Sequence, residues 1–139
     1  MKDLEISVVV IAFNEERNIS SILDSLVGLN YVEFEVLVVD GGSKDKTQEI
    51  VKKYAKKDKR IKLVVDDGGS ITSSRNLGVK KAKFDYIAFT DADCIVPRDW
   101  LRNYVDEFSK YKKKNEKLAG VGGANIPPVD CNKFQKALG

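Results

Sequence analysis

The 139-residue sequence contains no histidine, three prolines, one tryptophan and only two cysteines, Cys94 and Cys131. The absence of histidine excludes a Ser–His or Cys–His catalytic pair and any histidine-based metal site within the chain. The two cysteines form neither a metal-ligand spacing nor a disulfide framework, so a reducing cytoplasm is the expected setting. Chemistry in this chain must therefore use carboxylates, backbone groups, arginine or lysine.

Long apolar runs are also missing, since none reaches membrane-spanning length and the N-terminus lacks a signal-peptide pattern. The net charge of +3 is too small to indicate nucleic-acid binding. The length fits one domain that can bury a real core. We therefore expect a cytoplasmic chain without a nucleic-acid partner and without a membrane segment. This leaves open an association of a longer protein with the cytoplasmic face of the membrane.

Apolar β-rich runs and amphipathic helical patterns alternate along the chain. The runs at 6–11, 34–39, 61–65 and 86–89 are predicted to be buried strands, each followed by a helical pattern. This order predicts βαβ units and a mostly parallel sheet flanked by helices, which is an α/β fold. A fifth strand is predicted at 118–124, and the opening of a helix at 132–138 leads us to expect a truncated chain.

The tetrapeptide Thr90-Asp91-Ala92-Asp93 follows the run at 86–89 directly. The carboxyl end of a strand in an open α/β sheet is where ligands bind, and carboxylate oxygens suit Mg²⁺ or Mn²⁺. Aspartate is also common in solvated turns, so the pair alone is compatible with either a metal site or a turn.

Acid–glycine turns follow two further strands, at Asp40-Gly41-Gly42 and at Asp66-Asp67-Gly68-Gly69. In a parallel sheet these turns lie along one edge, where glycine lets a ligand approach the backbone and helix N-termini offer N–H groups to anions.

Arg75 lies on the third predicted helix, on one face with Ile71, Gly78 and Val79 by helical spacing. We therefore expect Arg75 to point toward the sheet rather than to water. Its partner there would be a carboxylate of the loops or a ligand phosphate.

The sequence resembles the family 2 glycosyltransferases, inverting enzymes of the GT-A fold, over nearly its full length. Four motifs carry the resemblance: residues 7–16, Val38-Val39-Asp40-Gly41-Gly42-Ser43 with Asp45 and Thr47, Ser74-Arg75-Asn76-Leu77-Gly78, and Phe89-Thr90-Asp91-Ala92-Asp93. The resemblance implies a Rossmann-like nucleotide-binding fold. It also implies metal-dependent transfer of a sugar, with inversion, from a nucleotide-diphosphate sugar to an unknown acceptor in cell-envelope or glycan biosynthesis.

The same resemblance implies roles for single residues on the donor side. Ala12, Phe13, Asn14 and Glu15 would wall the nucleotide base, with Glu15 also near the ribose. Asp40, followed by Gly41, would accept a hydrogen bond from the imide N–H of the base, which favours a UDP-type donor.

On the diphosphate side, Arg75 would lie across the base or reach the diphosphate. Asp91 would contact the ribose or the metal. Asp93 would be the direct ligand of the divalent metal, Mn²⁺ or Mg²⁺, that bridges the diphosphate.

One residue that the family requires has no counterpart in this sequence. Its general base is a carboxylate from a later segment, and Asp130, the only acid after Glu116, lies in a context that does not match. We therefore expect residues 1–125 to form a nucleotide-sugar-binding domain and residues 126–139 to begin an acceptor-side region that is cut short. The alternative is a non-catalytic nucleotide-sugar-binding module. A nucleotidyltransferase is disfavoured because no Gly-rich basic phosphate loop follows the first strand.

Overall fold

The fold is given by a computed structural model, which describes residues 4–114 and 118–123. Strands and helices alternate throughout, as the sequence predicts. Their bounds are β1 Ile6–Ala12, α1 Ile19–Val27, β2 Phe34–Asp40, α2 Thr47–Lys57, β3 Ile61–Val65, α3 Ile71–Lys81, β4 Tyr86–Asp91 and α4 Trp100–Lys113.

Within the described residues the strands form one four-stranded sheet in the order β3-β2-β1-β4, and every neighbouring pair is parallel. The order places β1 and β2 in the middle, where their β-branched runs are covered on both faces. The predicted parallel sheet flanked by helices is therefore confirmed.

The main core lies on the face of the sheet that α1 and α2 cover. Alternate residues of β1, such as Val8 and Val10, pack there with Ile22, Leu23 and Leu26 of α1 and with Val51 of α2. The amphipathic character of both helices is thus confirmed, whereas Val27, the last residue of α1, is 41% exposed.

Helix α3 packs on the opposite face, and its inner side agrees with the predicted one only at Gly78. Its buried residues are Ser74 and Gly78, whereas Ile71, Arg75 and Val79 are exposed. Because Gly78 has no Cβ, the helix backbone comes close to the methyl groups of Val9 and Val39. The predicted inward face of α3 was therefore right at Gly78 and wrong at Ile71, Arg75 and Val79, because the helix is rotated about its axis relative to the prediction.

Two other expectations also need correction. The run at 86–89 was predicted to be a buried strand, but β4 lies at the edge of the described sheet and Phe89 is 47% exposed. The described part of the predicted fifth strand, residues 118–123, has no strand conformation, and its last residue, Ala124, lies outside the described residues. The helix predicted at 132–138 lies outside them too.

By compactness the chain divides into two units, Met1–Val105 and Asp106–Gly139. The first contains the whole sheet, helices α1 to α3 and the start of α4. In the second, the structure describes the rest of α4 and the irregular residues 118–123. Among the described residues, no helix is both long enough and apolar enough to span a membrane. The predicted boundary at residue 125 stays a prediction.

Candidate functional site

The carboxyl ends of the four strands form one aligned edge, and the residues predicted for the site follow from it. Ala12 of β1 pairs in register with Asp40 of β2, which pairs with Val65 of β3. On the other side of β1, Ile11 pairs with Asp91 of β4. The sheet register therefore brings the predicted donor-side and metal-side residues to the same edge, where open α/β sheets bind ligands.

The segment 12–15, which was predicted to wall the base, contains both buried and exposed residues. Ala12 is buried in the core and its carbonyl accepts a hydrogen bond from the N–H of Gly41 at 2.9 Å. Phe13 is 59% exposed at the sheet edge, and Asn14 is exposed beside it with a left-handed φ of 54°. Glu15 is half-buried and accepts a hydrogen bond from the Asn18 side chain at 2.8 Å. The surface of this wall therefore consists mainly of Phe13 and Asn14.

Asp40 is fully buried, and its carboxylate is held by its own loop. Oδ2 accepts hydrogen bonds from the N–H groups of Gly42 and Ser43 and from the side chain of Gln48, at 3.1, 2.9 and 2.7 Å. Oδ1 accepts one bond, from the Ser43 hydroxyl at 2.5 Å. The first role of Asp40 in this structure is therefore to hold the turn after β2, and only Oδ1 retains acceptor capacity for another group.

The turns after β2 and β3 touch each other at their glycines. Gly42 has a φ of 86°, and a Cβ built on it would lie 2.6 Å from Oδ1 of Asp67. Gly41 is less confined, because a Cβ there would lie at ordinary contact distance between the Phe13 ring and the Gly69 carbonyl, at 3.6 and 3.7 Å. A Cβ on Gly41 would therefore fit only in contact with the loops after β1 and β3.

Arg75 reaches the end of β4, although it is not buried as predicted. One of its terminal nitrogens lies 3.5 Å from Oδ1 of Asp91, and the side chains are 47% and 58% exposed. An ion pair this exposed contributes little to stability. Its importance is positional, because it places a guanidinium group next to the carboxylates at the sheet edge.

Asp91 and Asp93 are both exposed, and the buried Ala92 lies between them. In residues 4–114 and 118–123 no three acidic or cysteine side chains are grouped closely enough to hold a metal ion by themselves. Two exposed carboxylates nevertheless fit Mg²⁺ or Mn²⁺, because such ions commonly take one or two carboxylates and fill the other positions with phosphate oxygens and water. The residues therefore suit an ion that is shared with a phosphate ligand.

Several polar residues that support this edge were not assigned a role from the sequence. They are Ser43, Thr47 and Gln48 after β2, and Ser73 and Ser74 on α3. The hydroxyls of Ser73 and Ser74 donate to Oδ2 of Asp66 at 2.7 and 2.9 Å. The available signal was their position, since each of them follows an acid–glycine turn by a few residues, before the next helix or in its first turn.

The chain was compared with known proteins, and the sequence profile described as glycosyl transferase family 2 matches residues 7–118. The chain belongs to glycosyltransferase family 2. Its parallel sheet flanked by helices is the nucleotide-binding core of the GT-A fold, as its structural relatives show.

One sequence relative is a Methanococcus voltae protein named dolichyl N-acetyl-alpha-D-glucosaminyl phosphate 3-beta-D-2,3-diacetamido-2,3-dideoxy-beta-D-glucuronosyltransferase. It is 33% identical over 122 residues, which cover 85% of this chain and 38% of that protein. The chain thus spans well under half the length of this family 2 relative.

Two solved structures extend the comparison to bound ligands. Staphylococcus aureus TarS 1-349 in complex with UDP-GlcNAc is 29% identical, with a TM-score of 0.66, and the match covers 90% of this chain and 37% of that one. The mannosyltransferase PcManGT from Pyrobaculum calidifontis, in complex with GDP-Man and Mn²⁺, is 28% identical, with a TM-score of 0.68. That match covers 75% of this chain and 32% of the other.

Proposed function

We propose that this chain binds the nucleotide-diphosphate sugar donor of an inverting, metal-dependent glycosyltransferase. The observation that carries the proposal is the register of the sheet, which aligns Ala12 and Asp40 with each other and places Asp91 next to them at one edge. Relatives that share the fold and more than a quarter of the sequence bind UDP-GlcNAc, or GDP-Man with Mn²⁺. The acceptor remains unassigned.

In the proposed site the base lies against the wall formed by Phe13 and Asn14, next to Gly41. Phe13 is exposed, and Gly41 has no side chain that would compete with a base for the surface beside the Phe13 ring. A base contact to Asp40 would have to use Oδ1, because three donors already occupy Oδ2. The preference for uracil rests on that single oxygen.

The diphosphate lies toward Arg75, Asp91 and Asp93. The guanidinium group of Arg75 lies next to Asp91 and is exposed enough to pair with a phosphate oxygen. Asp93 and Asp91 would hold the divalent ion, which, when bound, neutralises charge on the departing nucleoside diphosphate. The two carboxylates and Arg75 orient the diphosphate. The general base that deprotonates the acceptor hydroxyl would come from a segment outside the residues described.

The test is thermal unfolding of the chain with UDP, GDP or ATP, each with and without Mn²⁺. A ligand that binds only the folded state at one hundred times its Kd adds about 2.7 kcal/mol of stability, which raises the midpoint by several degrees. We expect this shift with a nucleoside diphosphate and Mn²⁺ together. It should be lost in Asp93→Ala.

Asp85→Ala is the matched control, because Asp85 is an exposed acid just before β4, at the opposite end of the strand from Asp93. It removes the same charge and should keep the full shift. Absence of a shift with every diphosphate contradicts the proposed donor site, and a shift with ATP alone would support a nucleotidyltransferase instead.

A non-catalytic nucleotide-sugar-binding module is the second candidate function. It accounts for the same residues at the sheet edge and needs no general base, for which the sequence offers no matching carboxylate. Sugar transfer assays separate the two, because a transferase releases the nucleoside diphosphate when an acceptor is added to a longer form of the protein, whereas a binding module does not.

A further inference from the structure

Three successive main-chain N–H groups after β1 donate to side chains of the loop after β2. Asn14 N–H donates to the Ser43 hydroxyl at 2.8 Å, Glu15 N–H to the Thr47 hydroxyl at 2.8 Å, and Glu16 N–H to Oδ2 of Asp45 at 3.0 Å. Consecutive N–H groups in such a turn are a common anion-binding arrangement. Here the protein's own oxygens occupy all three, so these groups are not available to a phosphate.

Two main-chain N–H groups of the loop after β2 donate in the opposite direction, to side chains of the loop after β1. Lys44 N–H donates to the side-chain oxygen of Asn14 at 2.8 Å, and Lys46 N–H donates to Oε2 of Glu16 at 3.1 Å. We call these five hydrogen bonds between residues 14–16 and 43–47 the loop clasp. The clasp holds Asn14 at its positive φ, a conformation that asparagine adopts more readily than most residues.

Thr47 is the buried centre of the loop clasp. Its own hydroxyl donates to Oδ1 of Asp45, which also accepts the N–H of Thr47 at 2.9 Å. With its proton committed to Asp45, the hydroxyl oxygen can only accept, and the group that it accepts is the N–H of Glu15. Asp45 therefore fixes both the orientation of the threonine hydroxyl and the neighbouring N–H of Glu16.

The clasp includes Asn14 and Glu15, two residues of the wall that the nucleotide base would contact. Phe13 immediately precedes them and is 59% exposed. The position of the wall is therefore set by the clasp more than by packing. The turn that Asp40 holds is also connected to the clasp. The Ser43 hydroxyl accepts a hydrogen bond from Asn14 N–H and donates one to Oδ1 of Asp40.

We propose that Thr47, oriented by Asp45, is a positioning residue for the donor nucleotide, because it fixes the Phe13–Glu15 wall. The inference rests on the proposed function. Thr47 does not touch the donor. Its loss should weaken nucleotide binding by letting the wall move, while the metal-side residues Asp91 and Asp93 keep their places.

Isosteric Thr47→Val removes the hydroxyl and keeps the branched shape, and Thr47→Ser keeps the hydroxyl. Calorimetric titration of the chain with UDP in the presence of Mn²⁺ should show about five- to tenfold weaker binding for Thr47→Val, the size expected for one lost hydrogen bond. Thr47→Ser should restore affinity close to that of the wild type. If Thr47→Val does not fold, Asp45→Ala, which removes both acceptor oxygens, replaces it with the same expectation.

Ser7→Ala is the matched control, because Ser7 is another buried hydroxyl of the sheet region. It donates to Glu35 at 2.7 Å and accepts Phe84 N–H at 3.1 Å, at the opposite end of β1. It should lower the unfolding midpoint and leave UDP affinity unchanged. Equal losses of affinity in Ser7→Ala and Thr47→Val, or an unchanged affinity in Thr47→Val, overturn the positioning role alone. A wild-type chain that binds no nucleoside diphosphate overturns the proposed function, and this inference with it.

Discussion

At the scale of single residues, Glu35 shows how this chain stabilises a buried charge far from the site. It is 4% exposed, and its carboxylate accepts hydrogen bonds from Ser7, from Lys62 at 2.8 Å and from Lys83 N–H at 2.6 Å. Burial by itself would raise the pKa of Glu35, but the hydrogen bonds from Lys62, Lys83 and Ser7 outweigh it and the pKa lies below its usual value. The ionised form is therefore the stable one in the folded protein.

Glu35→Gln should destabilise the protein by about 1–3 kcal/mol, because an amide nitrogen would then face groups that all donate. Lys62→Met is the comparison, since Lys62 is 53% exposed and its loss leaves the Ser7 hydroxyl and Lys83 N–H in place, so it should cost less than Glu35→Gln. Urea denaturation at neutral pH measures both. Equal losses in the two variants would show that the ion pair, rather than the set of donors, stabilises Glu35.

At the scale of elements, α3 depends on small residues where it meets the sheet. A Cβ built on Gly78 would lie closer than 3.0 Å to a methyl group of Val9 and 3.3 Å from one of Val39. Both valines are fully buried and their χ1 angles are stiff, so the neighbours have little freedom to move away. The close approach of α3 brings Arg75 to the end of β4.

Gly78→Ala should lower the stability of the protein, even though alanine favours a helix interior by about 1 kcal/mol over glycine. Overpacking of a filled core costs about 1–3 kcal/mol, which exceeds that gain. Thr72→Ala on the exposed side of the same helix is the control and should be neutral or slightly stabilising, because alanine has the higher helix propensity. Denaturant midpoints measure both. A Gly78→Ala protein as stable as Thr72→Ala would mean that α3 can move away from the sheet without cost.

The same helix shows what the sequence could and could not predict. Hydrophobic periodicity located β1, β2, α1 and α2 because their inner faces are apolar. For α3 it placed Gly78 correctly but missed Ser74, which carries no hydrophobic signal, and wrongly placed the exposed Ile71 and Val79 on the inner face. Two small residues at positions i and i+4 were the available clue.

In the site, too, sheet topology determines which residues lie at the same edge, whereas side-chain packing determines their contacts and exposure. That Asp40 and Asp91 meet at one edge follows from parallel strands and was predicted. That Gln48 occupies Oδ2 of Asp40 depends on the rotation of α2, which no spacing rule specifies. The exposure of Phe89 depends on β4 being at the edge of the described sheet, and an apolar run alone does not distinguish an edge from a centre.

At the scale of the whole molecule, the response to pH follows from which groups the chain has. It has no histidine, so no side chain has an unperturbed pKa between about 5 and 8. Asp58 has a lowered pKa, chiefly because it accepts hydrogen bonds from Arg60, and Glu35 has one too. Burial and a hydrogen bond to Asp24 raise the pKa of Tyr54.

These shifts predict a plateau of stability with a fall on each side. A carboxyl whose pKa is lower in the folded than in the unfolded state stabilises the protein above the unfolded value, about 4, and this stability is lost as the pH falls through the folded value. The raised pKa of Tyr54 acts oppositely, and its contribution is lost above about pH 10. The free energy of unfolding should therefore be nearly constant from about pH 5 to about pH 9.

Urea denaturation at a series of pH values and constant ionic strength tests this plateau, and Asp58→Asn provides the matched variant. It removes one carboxyl with a lowered pKa, so it should reduce stability on the plateau and make the decline below about pH 4 shallower. The hydrogen bonds between Asp58 and Arg60, as short as 2.6 Å, weaken in the wild type when Asp58 takes up a proton and are already weakened in the variant. An inflection near pH 6.5 in either protein would contradict the argument, because it would require a group that titrates there and is coupled to folding.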